Sequence, residues 1–107
     1  MSQEDIKATV TREALAVCEE RLASGAAPVA DAVMRSIQAQ LEWLIEFYEG
    51  RSAERNKLHT LTFGHYAARE IEDIDPAFAR YLYRAFYAAS RTAAGLKLDL
   101  AVLGLEA

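Results

Sequence analysis

Apolar residues return every three or four positions through almost the whole of this chain, and that spacing constrains its fold more than anything else in it. The clearest instance is Val33, Ile37, Leu41, Leu44, Ile45 and Tyr48, which lie on one face of a helix and on no face of a strand. Sustained period-two alternation, Asn-Gly and Asp-Gly hairpin turns and internal repeats are all missing. The expected fold class is therefore all-α: a compact bundle of about four helices with a short C-terminal tail, forming a single helical domain over residues 1–107. At 107 residues, enough surface can be buried for folding without a metal or a disulfide. The one cysteine, Cys18, has no internal partner to pair with.

End signals divide the pattern into elements. Helix one is expected over Gln3–Ala23, with Ser2 as N-cap, Glu4 and Asp5 in the first turn and Gly25 at the exit. Its inner face combines Ile6, Val10, Ala14 and Val17 with Leu15, Cys18 and Leu22. Helix two is expected to start close to Pro28 and end before Gly50, and helix three to run from a Ser52 cap through Leu58, Leu61, His65 and Ala68 to about Ile71. Asp75-Pro76 is a strong start for helix four, because the aspartate accepts first-turn N–H groups and proline has no N–H to leave unsatisfied. Phe78, Leu82, Ala85, Phe86 and Ala89 supply its core face, and Gly95 ends it. The remaining tail is expected to lie as a strap through Leu96, Leu98, Leu100 and Leu103, with its last few residues frayed.

Catalytic patterns are missing from the sequence. His59 and His65 are six apart rather than the four that would place two imidazoles on one helical face, and there is no HExxH, CxxC or glycine-rich phosphate loop. Glu42, Glu46 and Glu49 have no Glu-x-x-His companions of the di-iron kind. Cys18 reads as a small buried hydrophobe. No enzyme activity, metal or cofactor is expected. Nucleic acid is an unsuitable partner, because the first fifty residues hold four basic against nine acidic side chains and the chain carries a net charge of −4. Glu4 and Asp5 stand where a signal peptide would carry basic residues, and no long apolar run follows, so neither membrane insertion nor export is expected and the location is read as cytoplasmic.

Surfaces remain as the carriers of function. Glu42, Glu46 and Glu49, spaced by four and three, form either a solvated helix face or an acidic ridge that steers a basic partner. Glu72 and Asp73 make a second acidic group at the corner before helix four. Tyr83 and Tyr87 fall towards the edge of the core face set by Phe78, Leu82 and Phe86, where a tyrosine is either half-buried with a wet hydroxyl or an interface anchor.

One longer pattern is more specific. Leu58-His59-x-Leu61-Thr62-x-Gly64, then Glu70, Asp75-Pro76, Arg80, Ala85-x-Tyr87 and the stretch from Arg91-Thr92 to Leu100 resembles the immunity proteins that guard bacteria against a type VI secretion effector hydrolysing NAD(P). The likeness covers the C-terminal half, and the N-terminal half in helical outline. It implies a protein that binds a cognate secreted toxin domain and occludes its active site, so that Glu42, Glu46, Glu49, Glu72, Asp73, Tyr83 and Tyr87 become candidate toxin contacts. A related effector carrying another nucleotide-consuming toxin, such as a (p)ppApp synthetase-like pyrophosphokinase, is the alternative within this class. A helical DNA-binding or adaptor domain is the alternative outside it. Arg91, Lys97 and Asp99 are expected to tie the tail to the bundle.

Overall fold

Ser2 starts the first helix by a reciprocal exchange. Its hydroxyl accepts from the Asp5 N–H at 3.2 Å, while the Asp5 carboxylate accepts from the Ser2 N–H at 3.1 Å. In this computed structural model, which describes residues 2–105, α1 spans Gln3–Ser24 and ends at Gly25, whose φ of 73° is the left-handed conformation that favours glycine. Helix α2 spans Asp31–Tyr48 and α4 spans Pro76–Ala93. No strand occurs among the described residues, so the fold is the expected all-α bundle of four helices.

Helix α1 packs against both α2 and α4. Contact on two sides buries Ile6, Ala8, Val10, Ala14 and Cys18, and with them Lys7 and Thr11. The two polar residues are satisfied locally: Thr11 donates to the Lys7 carbonyl at 2.7 Å and Lys7 reaches Glu4 at 2.8 Å. Small residues on the facing helix, Ala79, Ala85, Ala88 and Ala89, are buried and let the backbones approach closely. Val17, Leu15 and Leu22 are only partly buried against this core.

Helix α2 begins at Asp31, three residues later than the expected Pro28. Pro28 and Val29 instead lie in the connecting loop, where Val29 packs against the core, and the Ala30 carbonyl receives the first helical N–H groups from Val33 and Met34. The buried face also takes in Met34 and Trp43, while Val33 and Ile45 of the expected stripe are only partly buried.

The expected long third helix is broken into three pieces. Ser52 caps no helix; its hydroxyl accepts only from the Glu54 N–H, at 3.4 Å. A 3-10 segment over Arg55–Thr60 comes first, then one α turn, Phe63–Tyr66, and then a widened π turn, Ala67–Ile71; the last two are labelled α3 here. Tertiary contacts explain the break. The Gln40 carboxamide of α2 accepts from the N–H groups of Thr62 and Phe63 at 2.8 and 3.1 Å and donates to the Thr62 hydroxyl at 3.0 Å, capping α3 from a neighbouring helix. Gly64 is buried against α4, where an added Cβ would lie under 3 Å from three ring carbons of Phe86. The break shifts the register, so that Ala67 is buried whereas Ala68 and His65 are exposed.

Beyond α4 the tail lies over one end of the bundle. Leu98 and Leu103 are buried with Ile6, Val10 and Ala88 in a second core cluster, Leu100 is half-buried and Leu96 is exposed. The frayed end expected beyond Leu105 lies outside the described residues.

Candidate partner-binding surface

The carboxylates expected to form one ridge on α2 divide into two kinds. Glu42 and Glu46 are exposed and enter no ion pair among the described residues. Glu49 is engaged twice: Arg12 of α1 bonds one of its oxygens, and Arg51 approaches the other at 2.8 Å. An aspartate or glutamate between two guanidiniums presents little net negative charge, so the free part of the ridge is Glu42 and Glu46.

The second acidic group sits on the corner between α3 and α4. Its backbone is pinned from both sides: the Ile71 carbonyl accepts from Ile74 at 3.0 Å and from Asp75 at 2.7 Å, and the Asp75 carboxylate accepts from the Phe78 N–H at 3.1 Å. The expected cap is thus formed. Asp75 also meets a partner that local spacing does not reveal, the Arg21 guanidinium of α1, through two contacts at 2.7 and 3.3 Å. Arg21 first, and the Phe78 N–H after it, hold the Asp75 carboxyl below its ordinary range against the opposing effect of burial.

Glu72 and Asp73 are exposed on this pinned corner, and Tyr83 of α4 is half-buried beside them. Partial desolvation, reinforced by the neighbouring Glu72 and Asp73, pushes the Tyr83 phenol above its ordinary value. Between the carboxylates stands Ile74, 67% exposed. Sequence reasoning passed over it because it belongs to the periodic face of neither adjoining helix. Its signal is a β-branched apolar residue inside the otherwise polar corner Glu72-Asp73-Ile74-Asp75.

Tyr87 is placed differently from Tyr83. Its hydroxyl accepts from the Asp99 N–H at 2.9 Å and its ring lies under the Arg91 guanidinium, so its polar tip is used within the molecule. Arg91 donates to the Lys97 carbonyl at 2.7 Å, Arg84 to the Leu103 carbonyl at 3.2 Å, and the Gln3 side chain accepts from the Leu98 N–H at 2.8 Å. The tail is thus tied to the bundle by the Arg91 side chain, as expected, but at Lys97 and Asp99 through the main chain; the Asp99 carboxylate accepts from the Ala101 N–H within the tail, at 3.1 Å.

Among the described residues no cluster of three histidine, cysteine or acidic side chains is arranged to hold a metal. Cys18 is buried, and desolvation raises its thiol to about 11, far from the thiolate a nucleophile requires. A cleft beside α3 is lined by Thr62, His65, Tyr66, Arg69 and Glu70 and is open to solvent, and the His65 ring packs against Phe86 at 5.7 Å. None of the described helices is long and apolar enough to cross a membrane.

Known proteins resemble this arrangement along most of its length. The model of the Tsi6 family matches residues 7–91. The immune protein Tsi6 of Pseudomonas aeruginosa (strain PAO1) is 40% identical over 68 residues, which cover 64% of this chain and 72% of that protein. A chain in the solved structure of Tse6 in complex with Tsi6 superimposes with a TM-score of 0.77 at 33% identity, covering 92% of this chain and 98% of that one. The resemblance therefore extends from the pattern around Gly64 and Asp75 through the whole bundle, and the chain belongs to the Tsi6 family.

Proposed function

We propose that this protein is an immunity factor, a binding protein rather than an enzyme, which seizes a cognate type VI secreted toxin domain and covers its active site. The observation that carries this reading is the match over 92% of the chain to a structure described as Tse6 in complex with Tsi6. The finer reading follows the same line: the toxin hydrolyses NAD(P), and protection takes place in the cytoplasm, where that substrate is found. Enzymes that take phosphorylated nucleotides gather arginine and lysine around their pockets, and exposed carboxylates complement such a rim. Glu42 and Glu46 on α2, with Glu72, Asp73 and Tyr83 at the α3–α4 corner, are the contacts this reading favours. Glu49 and Tyr87 contribute indirectly, by holding Arg12, Arg51 and the tail in place.

The cognate toxin domain, to be sought among the genes flanking this one, provides the test. Co-expression of this protein should preserve cellular NAD(P) and viability, and the purified pair should form a one-to-one complex with Kd of about 1 nM or tighter, about −12.3 kcal/mol. NAD(P) depletion at the same rate with and without this protein would sink the reading.

A further inference from the structure

Four large apolar side chains are strongly exposed among the described residues, and three of them, Leu96, Val102 and Leu105, belong to the tail. The fourth, Ile74, stands on the bundle itself. Its surroundings set it apart: Glu72 and Asp73 precede it, the Asp75–Arg21 pair lies beneath the corner, and Glu20 joins Arg21 at 2.7 Å with its side chain 58% exposed. Asp75 and Glu20 thus share the Arg21 guanidinium, whereas Glu72 and Asp73, next to Ile74 in the chain, are exposed and enter no ion pair among the described residues. The corner is also fixed before any partner arrives, by the Ile71 carbonyl on one side and the Asp75 cap and Pro76 on the other. A rigid apolar group loses little entropy on docking, which is the property of an interface anchor.

We infer that the Glu72-Asp73-Ile74 corner is the plug that enters the toxin, with Ile74 filling an apolar socket and the two carboxylates meeting the cations around it. The inference rests on the immunity reading and commits to one occupant, the substrate cleft of the toxin domain. A cleft that binds a phosphorylated nucleotide offers cations for phosphate and apolar walls for the base. The corner presents the same two features in compact form, negative charge beside an apolar body. Affinity then divides between the residues: Ile74 governs the lifetime of the complex, and Glu72 and Asp73 govern the rate at which it forms.

Surface plasmon resonance with a catalytically inactive form of the cognate toxin domain separates these roles. Ile74 is largely in solvent, so Ile74→Ser should leave the melting temperature unchanged while raising the dissociation rate at least about 30-fold, the loss typical of a hot-spot side chain. Glu72→Gln with Asp73→Asn should slow association and remove most of its dependence on ionic strength. Val102→Ser, which removes another strongly exposed aliphatic group, this one from the tail, should change neither rate. Wild-type dissociation kinetics in Ile74→Ser, measured against a tight wild-type complex, would overturn the plug and leave the immunity reading standing. Absence of any complex with the wild-type protein would overturn both.

Discussion

Asp75 joins two stabilising roles in one carboxylate, and its removal has a calculable cost. It caps α4 through the Phe78 N–H and receives two contacts from Arg21, whose side chain is 23% exposed while that of Asp75 is 15% exposed. Losing a cap costs roughly 0.5–2 kcal/mol, and a charge-assisted hydrogen bond in such a sheltered setting contributes about 1.5–3 kcal/mol. Arg21 keeps its contact with Glu20 at 2.7 Å, which offsets part of the second loss. Asp75→Ala should therefore destabilise the fold by about 2–4 kcal/mol at pH 7, a shift in Tm of about 4–8 °C for each kcal/mol. Asp75→Asn retains a capping oxygen and should lose about half as much. In a double-mutant cycle, Asp75→Ala and Arg21→Ala should couple by about 1–2 kcal/mol. The pH dependence follows from the lowered pKa of this carboxyl. Its contribution is complete above the unfolded value of about 3.9 and is lost as pH falls through the folded one, so the gap between wild type and Asp75→Ala should narrow in that acid range. Urea titrations across pH measure both effects. A cost below about 0.5 kcal/mol at pH 7, or a gap that stays constant into acid, would refute the assignment.

Three further outcomes are expected. Gly64→Ala forces a Cβ into the Phe86 ring and should cost about 1–3 kcal/mol, partly restored by Phe86→Leu, as thermal denaturation would record. Reversing Glu42 and Glu46 to lysine should slow toxin association at low salt while leaving the fold and its Tm intact, whereas reversing Glu49 should also lower Tm through repulsion of Arg12 and Arg51; stopped-flow binding and calorimetry distinguish the two cases. Cys18, buried and held protonated, should resist iodoacetamide in the native protein and react fully once unfolded, as mass spectrometry would show.

Helices α1, α2 and α4 were legible from local chemistry, because their spacing, their caps at Ser2 and Asp75 and their apolar faces all lie within a few residues of one another. The third helix was not. Its apolar positions Leu58, Leu61 and Ile71 are indeed buried, yet the path between them is set by Gln40, twenty-two residues away, and by Gly64 against Phe86 on another helix. The candidate contacts were legible as exposed carboxylates and edge tyrosines. Their pairing was not, since Arg12 meets Glu49 across 37 residues and Tyr87 is claimed by a tail segment with no helical period of its own. Ile74 escaped for a related reason: periodicity finds what is buried, and this exposed side chain falls outside the period.

The Gln40 clamp has a kinetic consequence. The Thr62 amide precedes α3 and the Phe63 amide opens it, yet the acceptor for both is carried on α2, so releasing them breaks a contact between the two helices. Their exchange with solvent deuterium should therefore be slower than that of first-turn amides with no acceptor, and the clamp links the stability of α3 to that of α2. Gln40→Ala would uncouple the pair, and the stretch from Phe63 to Ile71 would then open at a free energy of its own, a subglobal event that the intact protein suppresses.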